Sequence, residues 1–196
     1  FGDLAPFDSE HATLRGEVHE RVARVLAAAE RLEGVDVMAL RAAAIGDEQA
    51  WRERFAEPQD PSALGVERNE LRYRPAAIEL RMNEAADPAA VLREIAAALR
   101  TGAILTLSLP PTVAAAWSEA EVPFADFALV ETDQQWIGAV SRRRPARIRL
   151  VDPAYAKSIG WALGSPAIHL VVGAAPHPRA ALLPYLREQS LSITNH

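Results

Sequence analysis

Apolar residues in the first quarter of the chain recur at helical spacing. The pattern over residues 10–55 predicts helices, with Arg and Glu outside the apolar stripe. Gly34 is expected to end the first helix and Asp36 to cap the next. A further stop and restart is expected at Gly46 and Asp47. The stripe consists of Leu14, Val18, Val22, Val25, Leu26, Ala29 and Leu32.

From Glu67 onwards the period changes from helical to alternating. Short apolar runs of the kind found in strands are separated by segments with helical spacing. Regular alternation of strand and helix predicts parallel pairing with right-handed crossovers. The fold class is therefore α/β, a Rossmann-like doubly wound, mostly parallel sheet with an N-terminal helical arm. The predicted strands are 71–73, 78–82, 103–109, 127–130, 148–151, 168–172 and 191–194.

The helices between these strands have recognisable ends. Asp87 followed by Pro88 is a helix start, an N-cap acid with proline at the first helical position. Gly102 is a helix stop. Pro184 lies inside the last predicted helix and is expected to shorten or kink it. The predicted helices are 88–101, 111–120, 133–142, 178–188 and a helical turn at 154–162.

The length of 196 residues fits one domain with a helical arm. Residues 57–66 form a Pro-rich connector between the arm at 1–56 and the Rossmann-like domain at 67–196. We expect the arm to pack its apolar stripe on the domain. The alternative is that the stripe contacts another domain or subunit.

Charge and composition exclude several classes of function. The formal net charge of −5 argues against nucleic acid as the main partner, because duplex binding requires Lys and Arg to neutralise phosphates. The chain has 0 cysteines, so it holds no disulfide, thiolate zinc site or cysteine nucleophile. The longest apolar stretch, 103–117, contains Pro110 and Pro111 and is too short to span a membrane. No signal-peptide pattern is present, and we expect a cytoplasmic location.

The sequence has no glycine-rich turn of the kind that binds a dinucleotide. Such a turn must open a helix so that the backbone approaches the pyrophosphate. After the strand predicted at 127–130 the chain instead has Glu131, Thr132 and Asp133, two of them acids. We expect a self-capped helix here, with Asp133 as the cap.

Histidine and arginine were weighed as site residues. His11 and His19 are eight residues apart on the first helix, which makes them poor co-ligands for a metal, and His169 is expected in the core or at a sheet edge. The run at 141–149 holds five arginines, and we favour a solvated helix end that leads into an edge strand over an acidic partner surface. Arg72 and Arg74 share one face of an early strand. They are expected to tie the arm to the sheet; a carboxylate clamp is the alternative.

Two segments carry a resemblance to a known family. The stretches at 67–75 (ERNELRYRP) and 185–196 (YLREQSLSITNH) resemble the C-terminal region of the bifunctional proline utilization A flavoenzymes. Members of that family join a proline dehydrogenase to a 1-pyrroline-5-carboxylate dehydrogenase. Longer members carry a C-terminal domain similar to the cofactor-binding domain of aldehyde dehydrogenases, and residues 67–196 are expected to be this domain.

The resemblance also implies that the cofactor positions are degenerate. In working aldehyde dehydrogenases the strand corresponding to 103–109 ends in a lysine that binds the adenosine ribose, and Ser108 occupies that position here. The glycine-serine turn of the family is replaced by Glu131, Thr132 and Asp133. No cofactor is therefore expected in this chain, whereas the parent enzyme would use NAD and FAD. The residues of the two matched segments proposed for interaction are Arg72, Tyr73, Arg74, Glu188, Ser190 and Ser192.

These observations leave two functions open. The first is a non-catalytic lid over the passage between the active sites of a proline-oxidising enzyme, which also supports its assembly. Its partners would be the other domains of the same polypeptide, with a homo-oligomer as a further option. The second is a sensor module that binds a nucleotide or small anion through Arg72, Arg74 and residues 142–144. A stand-alone dehydrogenase lacks a paired nucleophile and base.

Overall fold

The computed structural model describes residues 18–60, 67–124, 128–160, 162–163, 168–173 and 177–194. The part of the predicted arm before Val18, with His11, lies outside these residues. The helices are α1 (Glu20–Ala29), α2 (Val37–Arg54), α3 (Pro88–Thr101), α4 (Pro111–Glu119), α5 (Asp133–Arg143), α6 (Pro153–Ile159) and α7 (Pro178–Leu182). The strands are β1 (Glu67–Pro75), β2 (Ala77–Arg81), β3 (Ile104–Leu109), β4 (Leu129–Val130), β5 (Arg147–Leu150), β6 (His169–Val172) and β7 (Leu186–Thr194).

The central sheet has five parallel strands in the order β4-β3-β2-β5-β6. The chain winds outwards from β2 to β4 and then crosses back to β5 on the other side of β2. This order confirms the predicted doubly wound sheet and places a topological switch point between β2 and β5. Strand β6 is an edge strand of this sheet. His169 lies on it and is exposed, which confirms the expected position at a sheet edge.

Local signals explain most of the helix ends. Asp36 accepts a hydrogen bond from the backbone N–H of Ala39, and Asp87 accepts one from Ala89. Gly102 ends α3 in the left-handed region at φ 71°, as its position in the sequence predicts. The stop predicted at Gly46 is wrong: α2 continues through this residue, which is buried in the middle of the helix.

The predicted last helix is wrong beyond Leu182. Its α-helical part ends there, and a short 3-10 turn at Leu183–Tyr185 contains Pro184. Proline therefore shortens the helix as expected, and β7 begins at Leu186, five residues before the predicted strand. Strands β1 and β7 pair with each other, antiparallel, in a two-stranded sheet that we call the ribbon.

The arm packs on the sheet domain through apolar and ionic contacts. Val22, Val25 and Leu26 of α1 are at most 3% exposed and share one core cluster with residues of α3 and β3. On α2, Asp47 accepts two hydrogen bonds from Arg93 at 2.5 and 2.6 Å. The packing agrees with the expected role of the apolar stripe. Two further contacts join α2 to α3. Arg100 is ion-paired with Glu48, and its guanidinium lies 4.6 Å from the ring centroid of Trp51.

Replacing two glycines by alanine should change the unfolding free energy in opposite directions. Gly102→Ala places a side chain at φ 71°, so we expect a loss of about 1–2 kcal/mol in unfolding free energy. Gly138→Ala is the matched control. Gly138 lies inside α5, where a Cβ would meet nothing closer than Arg142 Nη1 at 4.0 Å, so alanine should raise stability by about 0.5–1 kcal/mol. Urea unfolding measures both. A loss of stability in Gly138→Ala equal to that in Gly102→Ala would contradict the assignment.

Candidate functional site

The carboxyl ends of the parallel strands meet at one edge of the sheet, which is the usual ligand position in this fold. At the switch point, the loop after β2 is joined to the loop after β5. Asn83 Nδ2 donates a hydrogen bond to Asp152 Oδ2 at 3.0 Å. This bond, followed by that from the backbone N–H of Ala154, lowers the pKa of Asp152 despite its small desolvation. The two loops that would open around a ligand are thus bonded to each other.

Arg81 is the buried cation of this edge. It is the last residue of β2, and its side chain is 0% exposed. Its Nη2 donates to Asp133 Oδ1 at 2.7 Å and its Nη1 to Ser108 Oγ at 3.0 Å. The guanidinium also lies 5.5 Å from the ring centroid of Trp136, while its Nε has no hydrogen-bond partner. The two terminal nitrogens of the guanidinium are therefore hydrogen-bonded within the protein.

Ser108 is buried in β3 and links Arg81 to Glu131. Its hydroxyl accepts from Arg81 and donates to Glu131 Oε2 at 3.0 Å. The hydroxyl is therefore fully used, at the position where the resemblance places a ribose-binding lysine. The serine side chain is shorter than that of a lysine, so it leaves room for the guanidinium of Arg81.

Glu131 belongs to a second ion pair that closes the network. Arg143 donates to Glu131 at 2.8 and 3.1 Å and to Glu79 at 2.6 and 3.2 Å. Glu79, 2% exposed in β2, also accepts from Trp136 Nε1 at 2.5 Å. Burial alone would raise the pKa of Glu131, but hydrogen bonds from Arg143 and Ser108 outweigh it and lower that pKa.

The helix start at residues 131–133 differs in one respect from the prediction. Thr132, not Asp133, is the N-cap of α5, and it forms a capping box with Gln135. Asp133 is instead the first residue of α5, and its half-exposed carboxylate bonds to other groups. Its Oδ1 accepts from Arg81 and also from Tyr155 Oη at 2.7 Å. Desolvation and this bond to Asp133 together raise the pKa of Tyr155, so the phenol remains a donor.

A cleft of about 330 Å³ remains open above this network. Among the described residues that line it, the charged groups are two acids, Glu84 and Asp133, and none is basic. Arg81 is buried and already paired with Asp133, so phosphate groups in this cleft would have no basic side chain to bind. The arrangement does not fit the pyrophosphate of a dinucleotide. Its other lining residues are Asn83, Ala85, Pro110, Pro111, Thr132 and Tyr155.

The five-arginine run is exposed where it ends α5 and becomes internal along β5. Arg143 belongs to the network above, and Arg147 Nη1 donates to the carbonyls of Pro184 and Leu186 at 2.7 and 2.6 Å. The predicted solvated helix end is confirmed at Arg142 and Arg144, which are exposed, but the prediction that the run leads into an edge strand is wrong. Strand β5 lies between β2 and β6, and Arg149 on it is 2% exposed. Arg149 is paired with Glu94 at 2.6 and 2.7 Å.

The ribbon brings together the interaction residues of the two matched segments. Tyr73 lies opposite Glu188, Ser190 opposite Leu71, and Ser192 opposite Asn69. Arg72 Nε donates to Gln189 Oε1 at 2.8 Å.

In the described residues neither Arg72 nor Arg74 bonds to the arm, so the expected tie through these arginines is wrong. Other groups join residues 55–59 to β1. Phe55 packs edge-on against Tyr73 at 4.9 Å. Gln59 forms a backbone bridge with Leu71. Arg72 bonds to β7 instead, and Arg74 is exposed.

Sequence reasoning missed Glu79, Arg81, Glu94 and Asp152. Glu79 and Arg81 alternate with the apolar residues of β2, a pattern typical of a strand with one solvated face, whereas both faces of this central strand are buried. One signal in the sequence could have identified two of them. Glu79 and Arg81 are charged residues in the strand that the predicted fold places at the centre of the sheet, where a charge needs a partner. Among the described residues no group of three His, Asp or Glu side chains is placed to hold a metal ion. Within the same ranges no helix is long and apolar enough to cross a membrane.

Comparison with known proteins relates this fold to parts of larger chains. No protein-family model and no curated protein sequence matches. The structure of proline utilization A from Corynebacterium freiburgense is similar to 87% of this chain, at 27% identity and a TM-score of 0.53. The same enzyme from Bdellovibrio bacteriovorus, inactivated by N-propargylglycine, aligns with 78% of the chain at 13% identity and a TM-score of 0.54. PnpE from Pseudomonas sp. WBC-3 aligns with 78% at 14% identity and 0.53.

The chain spans only 14%, 20% and 38% of the lengths of these three proteins, respectively. The fold of this chain is thus one that also occurs within larger, multidomain proteins. At 13% and 14% identity the second and third similarities show the fold alone. The first, together with the two matched segments of the sequence, is the similarity that bears on function.

The network gives a prediction for Glu131. Its pKa is lowered in the folded state, so its contribution to stability is present above its ordinary value of 4.5 and is lost as the pH falls through the folded value. Glu131→Gln should lower the unfolding free energy at pH 7 by about 1–3 kcal/mol, because Arg143 and Ser108 lose a charged partner. It should also flatten the fall in stability below that pH.

Glu119→Gln is the control, an exposed acid of α4 whose replacement should change stability by no more than about 0.5 kcal/mol. Thermal unfolding from pH 3 to pH 7 measures both variants. Equal acid sensitivity of the wild type and Glu131→Gln would show that the pair contributes nothing.

Proposed function

We propose that this chain is a non-catalytic, aldehyde-dehydrogenase-like domain of a bifunctional proline utilization A polypeptide, which oxidises proline to glutamate by way of 1-pyrroline-5-carboxylate. The similarity to the Corynebacterium freiburgense enzyme, 27% identical over 87% of this chain, is the observation that carries the proposal. The chain would correspond to a part of such a protein, since it spans 14% of that enzyme. A cytoplasmic location belongs to the same proposal.

The chemistry of the sheet edge supports a structural role. A binding site leaves a few polar groups unpaired so that they converge on the ligand. Here Arg81, Ser108 and Glu131 converge on one another. In this proposal NAD and FAD are held by other domains of the polypeptide, and this domain holds neither.

The role that we assign is that of a lid over the passage between the two active sites. The intermediate is small and polar, so a wall that excludes bulk water would limit its escape. A rigid domain with an internally satisfied polar edge is suited to this role, because it presents a fixed surface without competing for the intermediate. The same contacts would support assembly of the polypeptide, with other domains of the chain as the partners.

Deletion tests the lid. Removal of residues 67–196 from the full polypeptide should leave proline oxidation and the direct oxidation of added 1-pyrroline-5-carboxylate intact. In the coupled assay from proline, glutamate formation should then show a lag, because the intermediate escapes and must accumulate before it is used. Stopped-flow recording of NADH formation measures the lag.

The two single-reaction assays are the internal control for folding of the remaining domains. A coupled reaction without a lag, in a polypeptide whose assembly state is also unchanged, would overturn the proposed function.

The alternative of a nucleotide or small-anion sensor makes a different prediction. On our proposal, titration calorimetry with NAD, NADP and ATP at millimolar concentration gives no saturable heat with this domain. Arg142 borders a second, open cleft of about 490 Å³, but Glu131 lines the same cleft. Saturable binding that Arg142→Gln weakens, and that Arg24→Gln on α1 does not, would favour the sensor.

A further inference from the structure

One face of the ribbon holds two arginines directly opposite each other. The register pairs Arg74 of β1 with Arg187 of β7. Directly opposed residues of an antiparallel pair lie on the same face with Cβ atoms roughly 5 Å apart, and like charges in this position are destabilising. The base of the ribbon therefore carries an unfavourable contact between like charges.

No group of the described chain relieves this contact. Both side chains are exposed, and neither guanidinium has an acidic partner among the residues that the structure describes. Arg72, two residues away on the same face, differs from them. It is 3.6 Å from Glu70 and bonded to Gln189, so its charge is compensated within the ribbon.

The arginine face lies on the side of β1 opposite to the contact between the ribbon and the arm. Tyr73 lies between the two β1 arginines and projects from the opposite face, where its ring meets Phe55 of the arm at 4.9 Å. Within the described strands, the outer edge of β7 pairs with nothing. A two-stranded ribbon is marginally stable at best by itself in water. A surface that covered the arginine face would supply both the missing charge and the missing support.

We propose that the face formed by Arg72, Arg74 and Arg187 docks on a carboxylate-bearing protein surface. Guanidinium forks donate to carboxylates in bidentate geometry, so acids placed between Arg74 and Arg187 would replace their repulsion with charge-assisted hydrogen bonds. Nucleic acid is disfavoured because the chain carries a net charge of −5 and the only described aromatic side chain of β1, Tyr73, lies on the other face. Resting on the proposed function, the partner surface belongs to a catalytic domain of the same polypeptide.

A single substitution separates docking from stability. Arg187→Glu places a carboxylate opposite Arg74, which converts a repulsive cross-strand pair into an attractive one. The unfolding midpoint of the polypeptide should stay the same or rise. Docking should nevertheless weaken by about tenfold or more, the loss expected for hydrogen bonds to charged groups. A variant that merely damaged the fold would lower both quantities together.

Docking is measured in the full polypeptide by hydrogen–deuterium exchange. Amides of the catalytic-domain surface that the ribbon covers should exchange about tenfold faster in Arg187→Glu, and faster again in the double variant Arg74→Glu/Arg187→Glu. High salt should have the same effect on the wild type, because the contact is ionic. Arg24→Glu, an exposed arginine of α1, is the matched control and should leave exchange unchanged.

The outcomes are separable from those of the lid experiment. If deletion of residues 67–196 produces a lag while both ribbon variants leave the exchange of every catalytic-domain peptide unchanged, the docking face is wrong and the lid stands. If neither deletion nor the variants have any effect, both proposals fail. Binding of a 20-base-pair DNA duplex that the double variant abolishes would also overturn the inference. So would self-association lost in the variants, seen by ultracentrifugation, while catalytic-domain exchange is unchanged.

Discussion

The buried guanidinium of Arg81 constrains the whole carboxyl edge of the sheet. Moving a charge from water into the interior costs several kcal/mol, and the cost is offset only if partners with good geometry surround it. Asp133 and Ser108 bond to its terminal nitrogens, and the ring of Trp136 lies beside it. Because these partners come from β3 and α5, folding of the edge requires those elements to be in place together.

The partners of Arg81 are themselves held by further bonds. Tyr155 fixes Asp133, and Glu131 joins Ser108 to Arg143, which also bonds to Glu79. Apart from Arg81 Nε, which has no partner, these polar groups bond to one another rather than being left for a ligand. In this fold a ligand usually binds at the carboxyl ends of the strands. Here charged side chains of the protein occupy that position and bond to one another. This is why the sheet edge is consistent with a structural domain, whatever chemistry the rest of the polypeptide performs.

The period of the apolar residues was enough to predict the parallel sheet and most helix ends, because both depend on neighbours in sequence. The pairs of the candidate site were not predictable in this way. Arg81 and Asp133 are 52 residues apart, and Glu79 and Arg143 are 64 apart. Likewise, Gly46 was taken as a stop, although its burial within α2 holds the helix together. Tertiary contacts overrode the local signal in each case.

Most charged groups of the sheet edge are paired with each other, whereas Arg74 and Arg187 of the ribbon have no acidic partner among the described residues. The base of the ribbon shows how the fold holds these two arginines in place. Arg147 bonds to the carbonyls on both sides of Tyr185, whose hydroxyl donates to Glu94 at 2.6 Å. The backbone N–H of Ala76 donates to the carbonyl of Tyr185 at 2.9 Å. These bonds fix the point at which both strands leave the sheet. With the backbone fixed at this base, a partner of the ribbon would have only side chains to order, and its carboxylates would relieve the repulsion between Arg74 and Arg187.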